Sequence, residues 1–155
     1  SLQTGRIDGY FVWEPFVAKS VVGGYGKVLV ESKDIWPGHP CCVIVTAGDF
    51  AKSHDSTVAS VIRAHRKAIN YIETNPVEAK AIAAKWTKLD AAVINNAFQR
   101  VKYTYALNKD DVRRFVGEMI KLGETGAIKP IITSADIPDL DKFVDTVVDI
   151  KYIQR

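Results

Sequence analysis

Long apolar runs are missing from this chain. No stretch of its 155 residues approaches the roughly 20 consecutive apolar residues of a membrane-spanning helix. Cysteine is nearly absent: Cys41 and Cys42 are neighbours and have no others to join. Two adjacent thiols without a C-x-x-C partner make no zinc site. On a strand they would point to opposite faces, and free cysteine is among the most buried residue types. They are expected as two small apolar core residues. Charge of one sign is scarce too, with a formal net charge of +3. Residues 1–50 carry four Lys/Arg against five Asp/Glu, and the remainder seventeen against thirteen. Only Arg63/Arg66/Lys67 and Arg113/Arg114 cluster, each interleaved with acids on a helical pattern. A nucleic-acid domain shows a denser basic stripe, so none is expected as a partner.

Catalytic signatures are missing as well. The chain has no G-x-S-x-G elbow, no P-loop and no H-E-x-x-H. Asp110-Asp111 and Asp139/Asp141 stand where helices start, a position the helix dipole favours without any mechanism. No catalytic residue, metal ligand or cofactor is expected.

What is present changes character near residue 48. Before it come three strand-like runs, Ile7–Val12, Lys27–Glu31 and Cys41–Thr46, apolar and β-branched. A helix from about Glu14 to Val22 separates the first two, with Pro15 near its first turn, where a missing N–H costs nothing. Gly23-Gly24 ends it, and Gly26 allows the turn into the second run. Ser32–Pro40 reads as a loop. After residue 48 the period becomes helical. A short helix, Asp49–Ser53, precedes a long one from Ser56 to Glu73 capped by Asp55. Its apolar stripe is Val58, Val61, Ile62, His65, Ala68, Ile69 and Ile72, with His65 as a satisfied core histidine. Asn75 caps a helix from Pro76 to Trp86, and Asp90 caps Ala91–Arg100. Asn108 begins Lys109–Leu122, stopped by Gly123 and Gly126, and Leu140–Tyr152 is a last amphipathic helix or helix plus tail. Trp86, Phe98, Tyr103 and Tyr105 have core spacing, and His39 and His54 fall in exposed loops. Three strands without enough sequence to complete a sheet look like the tail of a larger α/β protein.

The most informative stretch is Gly5-Arg6-Ile7-Asp8-Gly9-Tyr10-Phe11-Val12-Trp13-Glu14-Pro15-Phe16. It sets an aromatic and a carboxylate at the C-terminal end of an expected strand, where open α/β sheets bind ligands. This order resembles the "WEP" segment of solute-binding proteins of ABC transporters in the nitrate/sulfonate/taurine and pyrimidine-precursor group. The resemblance continues through Gly24–Val30, Pro40–Val45, His54–Ala68 and Asn75-Pro76-Val77-Glu78-Ala79. It implies an α/β chain that is the C-terminal fragment of a type II periplasmic-binding fold, few strands followed by a mostly helical remainder. Residues 1–46 would be the rest of the second lobe and a crossing strand, and 47–155 a helical part packing on the first lobe.

The resemblance also implies a site. Trp13 would wall the pocket and Glu14 would accept hydrogen bonds from a ligand amine, amide or ring nitrogen. Asp8, at the strand's start, Tyr10, and His39, in the hinge-side loop, complete the set. Each has a plainer role open to it: Trp13 suits a core, and Glu14 suits the helix N-terminus alone. The implied partners are a small solute and an ABC permease, and the implied location is extracytoplasmic, either periplasmic or membrane-anchored outside the cell. A fragment lacking its sheet neighbours is expected to form homo-oligomers through Ile7–Val12 or Cys41–Thr46. Two rival functions remain: a helical protein-interaction module, and an enzyme of pyrimidine or menaquinone synthesis on the same fold. The related pyrimidine-precursor enzymes carry a longer cysteine motif that Cys41-Cys42 does not reproduce, which favours binding over catalysis.

Overall fold

A computed structural model describes residues 1–152, so the last three residues of the expected helical part lie outside the described residues. A single 3-10 turn at Leu2–Thr4 precedes eight α-helices among the described residues. These are α1 (Phe16–Val22), α2 (Ser32–Ile35), α3 (Gly48–Ser53), α4 (Asp55–Thr74), α5 (Pro76–Thr87), α6 (Ala91–Ala97), α7 (Lys109–Glu124) and α8 (Leu140–Val147). Helices α3 to α5 and α7 start within a residue of where caps and periodicity place them. The turn of helix at Ser32–Ile35 falls inside the expected loop, closed by a reciprocal capping pair of Glu31 and Asp34. Helix α6 ends three residues early, and α8 stops at Val147, where Val148 turns extended.

The expected strands are corrected. Ile7–Val12, Lys27–Glu31 and Cys41–Thr46 all lie in irregular backbone, and no strand occurs among the described residues. A run becomes a strand only when a neighbour completes its ladder of N–H and C=O groups. Among the described residues, no backbone N–H of Ile7–Val12 or Cys41–Thr46 donates to a backbone carbonyl. Cys41 and Cys42 are exposed instead of forming core, as are Val43, Ile44 and Val45.

The chain forms two compact units, Ser1–Pro37 with His65–Thr104, and Gly38–Ala64 with Tyr105–Arg155. In the first, α1 packs on α6 and α6 on α5. The contact is made by small residues: Ala18 is sealed against Val93 and Ala97, with Leu89 at its edge. Small side chains let the helix backbones approach closely, so little volume is available for a larger group. After α1 the chain turns at Gly24, with φ of 71°, and both Tyr25 and Gly26 N–H donate to the Ser20 carbonyl at 3.2 Å.

In the second unit α7 packs on α8, around Val144 and Val148. The side chain of Asn108 caps α7 by accepting from the Asp110 N–H, and that of Asp139 caps α8 by accepting from Lys142. At Gly123 an added Cβ would come within 3.1 Å of the Pro130 backbone, so a side chain there would press the returning chain outward by a few tenths of an ångström. Asp55, expected as a cap, is the first residue of α4. Its carboxylate accepts from the Tyr152 hydroxyl at 2.7 Å and faces Lys151 Nζ at 3.2 Å. Hydrogen bonding with Tyr152, Asp55 and Asp149 holds the Lys151 ammonium above its ordinary pKa.

The face of α4 is rotated from the expected stripe. Ala59 and Ile69 are buried and Val58, Ile62, Arg66 and Ile72 half-buried, while Val61, His65 and Ala68 are exposed. Residues 58, 62, 69 and 72 lie on either reading of the stripe, and the tertiary neighbours decide between its two borders. Trp86, at 82% exposure, and Tyr105 are not core either, whereas the rings of Phe98 and Tyr103 pack at 5.6 Å.

Candidate functional site

Three of the five expected site residues converge on α1. Tyr10 reaches back along the helix, its hydroxyl donating to the Phe16 carbonyl at 3.2 Å and sharing a short hydrogen bond with the Ser20 hydroxyl. Ser20 is buried, so this bond fixes the irregular segment before α1 to the helix itself. The Trp13 carbonyl accepts from Phe16 N–H at 3.2 Å, and its ring meets Phe16 edge to face at 6.3 Å. The indole is nevertheless 68% exposed, far from the core role open to it in sequence.

Glu14 is the reverse case. Its side chain is only 10% exposed. Oε2 accepts from the Ala18 N–H at 3.0 Å, satisfying one of the unpaired donors of the α1 first turn. Oε1 accepts from Arg100 Nη1 at 3.3 Å. Glu14 therefore fills the helix-start role, and each of its oxygens keeps a further lone pair for another donor.

Arg100 ties the site together. Beyond Glu14, its Nε donates to Glu31 Oε1 at 3.2 Å, and its Nη1 to Asn96 Oδ1 at 2.5 Å and the Asn96 carbonyl at 3.3 Å. One guanidinium thus joins the start of α1, the start of α2 and the end of α6, its planar fork meeting several acceptors at once. Glu31 also pairs with Lys33, and that hydrogen bond, with the Lys33 and Arg100 charges, holds its carboxyl below the usual glutamate range despite partial burial. Two carboxylates and two cations leave the cluster neutral.

The other two expected residues are Asp8 and His39. Asp8 is exposed. His39 is half-buried, against the exposed loop position expected, and belongs to the second unit, whereas the other four lie in the first. His54 is exposed, its ring stacked on Phe50 at 4.4 Å. Among the described residues, a concavity of about 220 Å³ along Val77, Ala81 and Asn95 and another of about 220 Å³ along Asp136, Ile137 and Phe143 are not lined by any expected site residue. Sequence reasoning missed Arg100, Glu31 and Asn96. Arg100 lies 86 residues from Glu14 and 69 from Glu31, so no local pattern joins them; the Asn96–Arg100 spacing of one helical turn was the only nearby signal.

The NMT1-like family profile matches residues 1–88, which covers the whole segment from Gly5 through Asn75-Pro76. The chain belongs to the NMT1-like family. Over 154 residues, 97% of the chain, it is 21% identical to a putative aliphatic sulfonates-binding protein of Bacillus subtilis, of which it covers 41%. It is 33% identical over 70 residues, 45% of the chain, to the bicarbonate transport ATP-binding protein CmpC of Synechocystis sp., covering 10% of that protein. A similar match, 30% over 73 residues and 47% of the chain, is to the nitrate import ATP-binding protein NrtC of the same organism, covering 11% of it. The chain thus spans about a tenth of the length of these ATP-binding relatives. No solved structure gives a significant match. No helix among the described residues is long and apolar enough to cross a membrane.

Proposed function

We infer that this chain contributes to solute capture for an ABC importer, binding a small anion or an amine-bearing solute of the nitrate, bicarbonate, sulfonate, taurine or pyrimidine type. The observation that carries the reading is the Trp13–Glu14 pair: an exposed indole beside a nearly buried, hydrogen-bonded carboxylate, inside the segment that the family profile covers. An open aromatic face attracts an ammonium or stacks on a ring, and a carboxylate with unused lone pairs accepts from its N–H groups. Taurine presents an amine and a sulfonate together, so it suits both this pair and the sulfonate-binding relative. Asp8 and Tyr10 flank the same segment.

The larger setting follows from this reading. Residues 1–46 would belong to the second lobe and crossing strand of a type II periplasmic-binding fold, and 47–155 would pack on the first lobe. Lobe closure over the solute, then docking on a membrane permease, would complete the cycle outside the cytoplasm. The chain's role is binding, with no chemistry asked of its carboxylates. Titrating nitrate, bicarbonate, taurine, an alkanesulfonate and an aminopyrimidine into ¹⁵N-labelled protein tests it. One solute should shift the Trp13 indole and Ala18 amide signals, and Glu14→Gln and Trp13→Ala should each reduce the response. Silence at both signals for all five solutes at about 10 mM, above the range where about 4 kcal/mol of binding is recovered, would overturn the reading.

A further inference from the structure

Arg100 and the side chains it joins, Glu14, Glu31 and Asn96, all lie within the first compact unit. The pairing still crosses the chain: Glu14 and Glu31 precede residue 46, and Arg100 belongs to the helical part that follows it. Both Glu14 oxygens accept, Oε2 from the Ala18 N–H at 3.0 Å and Oε1 from Arg100 Nη1 at 3.3 Å. These donors stand on separate elements, within α1 and just past α6. A carboxylate held at one oxygen still turns about that bond, whereas one held at both keeps a single orientation.

Arg100 is itself held. Its Nε donates to Glu31 Oε1 at 3.2 Å and its Nη1 to Asn96 Oδ1 at 2.5 Å, so the plane of the guanidinium is set from two sides. A lysine ammonium brings the same charge without that planar fork. The consequence for Glu14 is chemical as well as geometric. With both oxygens accepting, it has only lone pairs left to offer. A solute engages it through an N–H donor, and a bare anion such as nitrate, which brings acceptors and negative charge alone, is repelled.

We propose that Arg100 is a positioning residue for solute capture. It aims the Glu14 carboxylate and holds it as an acceptor, and the site therefore selects amine-bearing solutes over bare anions. This rests on the solute-capture reading above and narrows its solute class. Arg100 touches no solute in this role: it acts through Glu14, and Glu31 and Asn96 hold it in place.

The ¹⁵N-labelled chain, titrated with taurine, an aminopyrimidine and nitrate, tests this. In the native chain an amine-bearing probe should shift the Ala18 amide and nitrate should not. Arg100→Lys should weaken that response about tenfold, the scale of one hydrogen bond to a charged group. Asn96→Ala, which keeps every charge and loosens Arg100, should weaken it about threefold, the scale of one neutral hydrogen bond. Both variants should also move the Ala18 amide in the solute-free chain. Ile69→Val trims the buried core of the same unit and lowers stability without touching Arg100, so it should bind as the native chain does and leave that amide in place. Undiminished binding by Arg100→Lys and Asn96→Ala, an equal loss in Ile69→Val, or an Ala18 amide that nitrate shifts as the amines do would each overturn this inference and leave solute capture standing. A native chain silent to all three probes would overturn both.

Discussion

The two units use the same chemistry, arginine and lysine paired with carboxylates, in different ways. In the first, Arg100 reaches partners 69 and 86 residues away, and the three side chains are 10% to 26% exposed. In the second, Lys109 and Arg113 of α7 meet Asp145 and Asp141 of α8, at 36 and 28 residues, and both acids are more than 60% exposed. Water screens the second set, and exposed pairs of this kind add little. Removing the part-buried Arg100 leaves the nearly buried Glu14 without a cation, while Glu31 keeps Lys33. Ion pairs drawn alike on a helix surface therefore differ in consequence by their burial and by what they join.

The largest expected effect breaks that comparison directly. Arg100→Ala should cost about 2–4 kcal/mol, since it leaves Glu14 and Glu31 without their shared cation, and Arg100→Lys should recover only part because an ammonium lacks the planar fork. Arg113→Ala should leave the urea midpoint within experimental error. Equal losses for the two alanine variants in urea unfolding would abolish the distinction between the units.

Asn108→Ala comes next. It removes the side-chain acceptor for Asp110 N–H at 2.9 Å, and the cap should be worth about 1 kcal/mol. The loss should appear in the second unit alone: amide exchange should quicken along α7 and remain unchanged in α1 and α6. A uniform acceleration in both would show that the units unfold as one.

The smallest effect is that of pH, and it sharpens the contrast within the first unit. Glu31 has its pKa lowered in the folded chain by Lys33 and Arg100. A carboxyl with a depressed folded pKa stabilises above its unfolded value, and that contribution is lost as pH falls through the folded value. Stability should thus begin to decline below about pH 4.3, the ordinary glutamate value. Glu31→Gln should flatten this acid limb in a series of urea midpoints, with no change near neutrality in its slope. An unaltered acid limb would show that Glu31 does not govern it.

Local chemistry reached as far as the helices. The starts of α5 and α7 are marked by Pro76 in the first turn and by the Asn108 side-chain cap, whose effects act within one turn. Even there the cap positions were legible but not their bonds: Asn75 and Asp90 make no side-chain cap hydrogen bond, whereas Asn108 and Asp139 do. Glu14 was legible as a helix-start carboxylate because its acceptor role depends only on Ala18, four residues on.

Three things lay beyond the sequence by itself. A strand needs a partner's hydrogen-bonding groups, so the apolar β-branched character of Ile7–Val12 and Cys41–Thr46 did not make them strands. The border of the α4 stripe depends on which neighbours cover it, which is why His65 is exposed and Arg66 half-buried. Arg100 could not be tied to Glu14 and Glu31 from residue types alone, because a side chain at the end of one helix pairs with whatever the fold brings to it. The sequence by itself determined the family and where most of the helices start; the tertiary structure decided where several of them end, which faces are covered, which charges meet and which backbone groups go unpaired, because those depend on partners far along the chain.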